Sequence, residues 1–245
     1  YVIDFVMTTE KASNKMNLVQ AGPRKDWSPV EPVLEQDGEM INCEVVPGLS
    51  YFLCGKNIAD KEITLPYDLS GESNGFYSVY SMDKQGFKSD CCNPVIKTDW
   101  QNVFEAEDAV SRGAFSNVHS DYSGRGFVVD LCAKPADFVF TIDVPADGDY
   151  ALVLSGANGH GPDGTYCAIR SVYIDDQDAG SFILEATGDW NKWLNSNYVV
   201  RALKAGRHTV SLKFNPEDRG FDFNMSHGRE NANDYNLDYL KVIRM

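Results

Sequence analysis

The sequence predicts an all-β protein built from antiparallel β-sandwiches, and three observations support this class. Short runs rich in β-branched and aromatic residues recur along the chain, separated by clusters of Gly, Asp, Asn and Pro at intervals of roughly 8–12 residues. No long segment keeps apolar residues at i, i+3, i+4 and i+7, as an amphipathic helix would. Hydrophobic residues make up 43% of the 245 positions, which is enough for a sizeable core. Many short strands joined by turn residues are typical of sandwiches.

The first 29 residues are the least regular part of the chain. Residues 5–8 and 16–20 predict two strands joined by a polar turn at 10–15, which we interpret as extra strands or the tail of a preceding module. The chain begins at Tyr1, without Met and without the basic-then-apolar pattern of a signal peptide. We therefore expect a processed or excised piece of a longer protein, with room for a catalytic part outside it.

Residues 30–96 form a first strand-rich block, with strands predicted at 40–46, 50–54, 62–65, 75–82 and 86–92 and a turn at Pro47-Gly48. The turn followed by Ser-Tyr-Phe-Leu at 50–53, and the run FYSVYSMDKQGFKS from Phe76, resemble the fibronectin type III domain, whose last hairpin the second run would form. The resemblance covers about 65 residues and implies a smaller β-sandwich that acts as a spacer. Asn93-Pro94 closes the block and predicts a boundary near residues 93–101.

Residues 101–245 form the second block, with strands predicted at 128–131, 138–142, 150–154, 171–174 and 208–214. Its motifs follow a fixed order: FEAEDA from Phe104, YSGRGFV from Tyr122, VPADGDY from Val144, GDWNKW from Gly188, LKAGRHTV from Leu203 and NLDYL from Asn236. This order resembles carbohydrate-binding modules of families 6 and 35. The resemblance implies a galactose-binding-like β-jelly roll.

A pair of carboxylates opens this second block. In a strand, Glu105 and Glu107 are two residues apart and would project from one face, with Ala106 on the other. Aligned carboxylates repel unless a cation lies between them, and calcium, which takes 6–8 oxygen ligands, suits such a place. The resemblance implies a structural calcium held by Glu105, Glu107 and Asp238, with backbone carbonyls completing the shell. The alternative is a solvated edge strand without a metal.

Sugar binding requires aromatic rings that stack on the apolar face of a pyranose and polar groups that reach its hydroxyls. The candidate platforms are Trp190 and Trp193, with Tyr122 across a cleft and Asn236 as the amide, and the resemblance places such residues in a cleft at the loop end. Because the two Trp residues are three apart, we expect one of them to lie in the core. Arg125, in the early loop, is a candidate partner for a uronate carboxylate.

Composition excludes several partners. Lys and Arg number 22 and Asp and Glu 36, so the formal charge is −14, which argues against nucleic acid and against an anionic membrane surface. No apolar run approaches the ~18 residues that cross a bilayer. The six Cys and four His lack the spacing of a metal knuckle. The cysteines are interpreted as core residues, with one disulfide left open.

The function predicted from the sequence is therefore non-catalytic binding of an oligosaccharide or polysaccharide. The module would target an attached glycoside hydrolase or polysaccharide lyase to its glycan, and the protein would be extracytoplasmic. One alternative is a β-sandwich glycosidase or lyase with its own carboxylate pair. A second is a structural or adhesive β-module. Nucleophile and zinc-protease motifs are absent from the sequence.

Overall fold

A computed structural model describes residues 3–5, 18–20, 28–55, 58–109, 113–129, 138–159, 167–213 and 234–245. The chain divides into two compact units, Tyr1–Lys97 and Thr98–Met245. Every sheet in the described ranges is antiparallel, and the only helical segments there are short 3₁₀ turns. The predicted all-β class is confirmed. No helix among the described residues is long and apolar enough to cross a membrane.

In the described part of the first unit, the strands are β1 (Ile3–Phe5), β2 (Leu18–Gln20), β3 (Glu35–Asp37), β4 (Met40–Asn42), β5 (Ser50–Gly55), β6 (Ile58–Ile63), β7 (Tyr67–Asp68), β8 (Gly75–Met82) and β9 (Val95–Lys97). β1 pairs with β2, and the other strands form a sheet of order β3-β4-β7 and one of order β6-β5-β8-β9. Buried Ile41, Leu53, Leu69 and Val79 belong to a core formed by residues of both sheets. The assignment to fibronectin type III stays a prediction.

The predicted closing strand at 86–92 is wrong. The strand that pairs with the edge of β8 is β9, beyond Pro94, and Lys88 makes only an isolated bridge to Met82. The Asp83 carboxylate accepts hydrogen bonds from the N–H groups of Gln85 and Phe87, which holds a tight turn after β8. Pro94 has no N–H for a sheet ladder, so regular pairing resumes only after it.

The second unit contains, in its described ranges, β10 (Gln101–Glu105), β11 (Ala114–Ser116), β12 (Phe127–Val129), β13 (Phe138–Val144), β14 (Gly148–Ala157), β15 (Cys167–Ile174), β16 (Gln177–Glu185), β17 (Leu194–Asn195), β18 (Val199–Leu203), β19 (Gly206–Lys213) and β20 (Asn236–Arg244). Seven of them form one sheet, in which β20 pairs with β10, β12 and β14. In the same sheet, β14 also pairs with β17 and β18, and β12 also pairs with β11. The other sheet has the order β13-β19-β15-β16.

The core of this unit lies between these two sheets. β13 alternates buried and more accessible residues and contributes Phe138, Phe140 and Ile142 from one sheet, while Leu152 and Leu240 come from the other. This period of two is what a half-buried strand requires. The sequence prediction of a two-sheet β-jelly roll for this block is thereby supported by its architecture.

A β-bulge interrupts the pairing of the two central strands. Tyr239 pairs with Ser155 and Leu237 pairs with Gly156, so Asp238 is an extra residue on β20. A bulge leaves one residue outside the ladder and re-aims its side chain. The Asp238 side chain is thereby placed beside the end of β10, where Glu105 pairs with Tyr239.

An ion pair fastens the turn after β15 to β19. His208 Nδ1 lies 2.6 Å from Asp175 Oδ2, and its Nε2 lies 2.8 Å from the Lys204 carbonyl oxygen, so a doubly protonated ring can donate to both. Partial burial works against the charge on His208, but Asp175 and the Lys204 carbonyl outweigh it and raise the pKa of the imidazole. Burial likewise opposes ionisation of Asp175, but hydrogen bonds from His208 and Thr209 lower its pKa.

We expect Asp175→Asn to destabilise the second unit most at pH 5–6. The contribution of His208 to folding stability is fully present below its unfolded pKa of about 6.5 and is lost as pH rises through its folded pKa. The contribution of Asp175 to folding stability is lost as pH falls through its lowered folded pKa. Because Asp175 is half exposed, the loss should stay below about 1 kcal/mol. Thermal unfolding at pH 5.5 and 8.5 measures it, with Asp176→Asn in the same turn as control; equal losses at both pH values would contradict it.

Candidate cation and carbohydrate site

The paired carboxylates lie where β10 ends. Glu105 is the last residue of the strand, and Ala106–Asp108 forms a 3₁₀ turn, so the expectation that Glu105 and Glu107 share one strand face is wrong. Ala106 is buried in the core, and this anchors the turn. The two carboxylates nevertheless come together, because both point toward the loop that precedes β12.

That loop, residues 117–126, wraps the acidic side chains with its own polar groups. Ser123 donates from Oγ to Glu105 Oε1 at 2.8 Å and from its backbone N–H to Asp238 Oδ1 at 2.9 Å. The N–H of Arg125 donates to Glu107 Oε1 at 2.7 Å. Ser155 on β14 adds a hydrogen bond to Asp238 Oδ2. Glu105, Glu107 and Asp238 are therefore brought to the same loop, and we call these three the carboxylate cluster.

Gly124 is where the loop comes closest to the carboxylate cluster. Its φ is +62°, a left-handed conformation that glycine adopts without penalty. A Cβ at this position would lie 2.6 Å from Glu107 Oε1 and 3.0 Å from Glu105 Cδ. Both the conformation and the space therefore require glycine here.

Two atoms of the cluster lack partners. Glu105 Oε2 and Glu107 Oε2 are buried, and neither accepts a hydrogen bond from any residue that the structure describes. Burial raises the pKa of Glu105, the Ser123 hydrogen bond opposes this, and neighbouring Glu107 and Asp108 add to it. Burial also raises the pKa of Asp238 to about 6, with hydrogen bonds from Ser123 and Ser155 opposing and the charges of Glu105 and Glu107 adding. The cluster thus concentrates negative charge that its hydrogen bonds only partly stabilise.

The donor set fits a hard cation. Buried carboxylate oxygens without hydrogen-bond donors are costly unless a positive charge or a proton reaches them. Calcium prefers oxygen ligands, whereas zinc and softer metals prefer nitrogen or sulfur ligands. No three Asp, Glu, His or Cys side chains in the described ranges are arranged to hold a metal by themselves. A cation at Glu105 and Glu107 would therefore need further oxygens from the backbone or from water.

Aromatic residues form a second cluster on the same loop. Phe127, fully buried, is surrounded by His119, Tyr122 and Trp193 at ring-centroid distances of 5.4, 5.5 and 5.1 Å. The Trp190 ring lies 6.5 Å from that of His119 and nearly parallel to it. All except Phe127 are partly exposed. We call these five residues the aromatic cluster.

Both Trp residues lie in the segment between β16 and β17, outside any strand, where Trp193 is held by a hydrogen bond and Trp190 by a close contact. Trp193 Nε1 donates to the Ser120 carbonyl oxygen at 2.7 Å, and the Ser120 N–H donates to Asn191 Oδ1 at 3.0 Å. Gly159 lies against the Trp190 indole, since a Cβ there would come within 2.5 Å of the ring. The expectation that one Trp is in the core and the other outside is not met, because both are partly exposed.

The remaining predicted ligand residues are placed less favourably. Asn236 is buried at the start of β20, paired with Ala157 in the sheet. Arg125 is exposed, and its guanidinium is hydrogen-bonded to Asp108. Tyr122, Trp190 and Trp193 are brought together, whereas Arg125 faces an acidic partner and Asn236 lies among buried residues. The sequence also has a Gly- and Asn-containing loop at 158–164 and a long Asn-rich loop at 215–235 that suit contact with sugar hydroxyls, and most of both lies outside the described residues.

Several residues of the site were missed at the level of sequence. Ser123 and Gly124 stand within the motif that starts at Tyr122, yet only their neighbours were singled out as candidates. The Ser-Gly pair within the Tyr-Ser-Gly-Arg-Gly run is the signal that could have indicated them, since small residues allow a loop to approach closely. His119 and Phe127 carry no such signal, because aromatic residues in a β-protein are more often plain core residues.

Sequence comparison finds relatives among glycan-active enzymes, and no protein-family model matches the chain. A cycloisomaltooligosaccharide glucanotransferase from Niallia circulans is 35% identical over 112 residues, which are 45% of this chain and 11% of the enzyme. A second enzyme of that name from the same organism is 28% identical over 186 residues, 73% of this chain and 17% of the enzyme. A 1,6-alpha-glucosyltransferase from Sporosarcina globispora is 34% identical over 120 residues, 48% of this chain and 9% of the enzyme. The chain thus spans less than a fifth of each relative.

Structure comparison finds a Paenibacillus cycloisomaltooligosaccharide glucanotransferase complexed with cycloisomaltoheptaose, with 28% identity and a TM-score of 0.47 over 57% of this chain and 18% of that one. Family 35 carbohydrate-binding modules from Clostridium thermocellum and Cellvibrio japonicus are also similar, with 20% and 24% identity and TM-scores of 0.47 and 0.46. They are matched over 99% and 93% of their length and over 60% and 59% of this chain. The chain resembles modules of family 35, as the order of its motifs predicted.

We expect Gly124→Ala to destabilise the second unit by at least about 2 kcal/mol, because an L-residue in the left-handed region costs about 1–2 kcal/mol and the new Cβ would also displace Glu107. Gly38→Ala is the matched control, since Gly38 has a φ of +60° and open space around it. The control should lose only the backbone part in its own unit. Equal losses for the two variants in chemical denaturation would contradict the close approach of the loop.

Proposed function

We propose that the second unit is a non-catalytic carbohydrate-binding module that directs an attached glycan-active enzyme to its substrate. The observation that carries this proposal is the aromatic cluster, in which the partly exposed rings of Tyr122 and Trp193 pack on Phe127. The partly exposed Trp190 ring lies parallel to His119 of the loop 117–126. Partly exposed, fixed rings suit stacking on the apolar face of a sugar. The first unit would act as a spacer, and an extracytoplasmic location fits such a protein.

The relatives narrow the choice of ligand. Their names describe enzymes that act on cycloisomaltooligosaccharides or transfer 1,6-alpha-linked glucose. We therefore propose an α-1,6-linked glucose oligosaccharide as the ligand. Such a chain is uncharged, which agrees with a formal charge of −14 and with an Arg125 side chain already paired with Asp108. A polyanionic glycan would meet an unfavourable field.

Calcium is proposed as the structural cation of the carboxylate cluster. Glu105 and Glu107 would supply the two buried Oε2 atoms, Asp238 would add its charge, and backbone carbonyls or water would complete the shell. When bound, the ion supplies positive charge to the cluster and holds the loop 117–126 against the end of β10. The ion would then support the sugar site indirectly, because the same loop carries His119, Ser120 and Tyr122.

A glycosidase or lyase function is less compatible with the site. A catalytic carboxylate pair must reach a sugar bond from an open cleft. Asp238 is only 2% exposed, and the inner oxygens of Glu105 and Glu107 are buried beneath the Ser123–Arg125 segment. The buried oxygens of these acids suit the proposed cation better than a polysaccharide.

Calcium should raise the melting temperature of the second unit after treatment with a chelator, since a ligand that binds only the folded state adds about 2.7 kcal/mol at 100 times its Kd. Glu105→Gln should abolish the rise, and Glu185→Gln, at an exposed site on β16, should keep it. Binding should weaken as pH falls through about 6, because protons compete for Asp238. A melting temperature that is indifferent to both calcium and chelator would remove the cation from the proposal.

Trp190→Ala and Trp193→Ala should each weaken binding of isomaltooligosaccharides by about tenfold or more, because a lost aromatic stack is worth roughly 1.4 kcal/mol. Isothermal titration with the full chain measures the affinity. Phe87→Ala, which removes an exposed ring in the first unit, is the control and should bind normally.

The outcomes separate the three functional hypotheses. Binding without release of reducing ends supports the module. Hydrolysis by this chain alone would overturn the non-catalytic assignment. Unchanged binding in both Trp variants, with normal melting temperatures, would reject the aromatic cluster as the site. Failure to bind any α- or β-glucan would favour the structural or adhesive alternative.

A further inference from the structure

Four cysteines of the first unit lie near one another on two sides of one sheet. Cys43 and Cys92 are buried in its core. Cys54 on β5 is half-buried, Cys91 is exposed, and their Sγ atoms are 3.5 Å apart. The adjacent residues Cys91 and Cys92 thus differ in environment, one facing the core and the other facing a second thiol. We call Cys54 and Cys91 the outer pair. Neither of their thiols belongs to the candidate carbohydrate site, which lies in the other unit.

The backbone holds the outer pair in place. Cys54 pairs with Ser78 in the β5–β8 register, and its thiol donates to the Ser78 carbonyl oxygen at 3.4 Å. On the other side of β8, the Cys92 N–H donates to the Val79 carbonyl oxygen at 3.1 Å, and the Val79 N–H reaches Cys92 Sγ at 3.1 Å. Ser89 makes further hydrogen bonds to Ser81. The segment that carries Cys91 is therefore fixed along β8, next to the point where the Cys54 side chain emerges.

We propose that Cys54 and Cys91 form an intramolecular disulfide in an oxidising environment, with a low-molecular-weight disulfide as the oxidant. A disulfide bond measures about 2.05 Å, so the two sulfur atoms must approach by only about 1.5 Å. Cys91 is exposed and lies between β8 and β9, outside both strands, so we expect this approach to come from Cys91 and its segment. Cys43 and Cys92 stay thiols, since both are buried and Cys92 Sγ already accepts the Val79 N–H.

The reaction is two successive thiol–disulfide exchanges. The Cys91 thiolate attacks one sulfur of the oxidant, which forms a mixed disulfide and releases one thiolate. Cys54 then gives its proton to water and attacks Cys91 Sγ, which releases the second thiolate. Two protein thiols are oxidised, and one small disulfide is reduced to two thiols. Burial raises the pKa of the Cys54 thiol, so ring closure should accelerate as pH rises above neutral.

The bond would matter for the first unit because its core is small. A cross-link between residues 54 and 91 closes a loop that contains β6, β7 and β8 and restricts the unfolded chain. Small sandwiches with limited cores are the domains that gain most from such a restraint. The proposal rests on the first unit alone and stands or falls independently of carbohydrate binding.

The test uses the full chain, equilibrated with glutathione disulfide in one sample and with dithiothreitol in another. Free thiols are blocked, and the unreduced protein is digested and analysed by mass spectrometry. We expect a peptide pair that joins Cys54 to Cys91. We also expect a calorimetric transition about 10 °C higher in the oxidised sample. Cys54→Ser and Cys91→Ser should each lose that rise, and Cys167→Ser, in the second unit, should keep it.

Three outcomes would overturn the proposal. The first is a cross-link from Cys91 to Cys92, or from Cys43 to Cys92, in place of the expected pair. The second is full retention of both outer thiols after prolonged oxidation at pH 8.5. The third is a rise in melting temperature that persists in Cys91→Ser. Because the peptide analysis uses the unsubstituted chain, poor folding of a variant would not affect the first two results.

Discussion

The structure of the second unit depends on how buried negative charge is stabilised at the carboxylate cluster. Glu105, Glu107 and Asp238 come from the two ends of the unit's sequence, and β10 and β20, which carry or flank them, are paired in the seven-stranded sheet. Hydrogen bonds from Ser123, Arg125 and Ser155 satisfy only part of the charge. Two oxygens are left without donors in the described structure, which is the observation that the proposed cation would account for.

The loop 117–126 links this electrostatic requirement to the aromatic cluster. One part of the loop, Ser123–Arg125, hydrogen-bonds to the carboxylates, and another part, His119–Tyr122, contacts the rings and the Trp193 indole nitrogen. The two parts are contiguous in the sequence, so a displacement of one is transmitted to the other. Cation binding and sugar binding would then be thermodynamically coupled, and each would strengthen the other to the same extent.

Sequence reasoning predicted the strands well where the pattern has a period of two, as in β8 and β13. It predicted the turn at Asp83 but failed at residues 86–92, because Pro94 delays regular pairing until β9. The sequence indicated the acidic residues Glu105, Glu107 and Asp238 as one group. It did not predict their geometry, because a 3₁₀ turn and a β-bulge leave no periodic signal. The partners of Trp193 were also out of reach, since its hydrogen bond to Ser120 spans 73 residues.

The bulge at Asp238 explains why a charged residue is tolerated within a central strand. Leu237, directly before it, and Leu240, two residues after it, are fully buried in the core, and regular pairing would place Asp238 in the sheet ladder. As the extra residue of the bulge, Asp238 instead accepts hydrogen bonds from Ser123 and Ser155. The irregularity disrupts the ladder locally, but it joins the start of the last strand to the loop that carries His119 and Tyr122 of the aromatic cluster. The same strand thereby serves both the core and the candidate site.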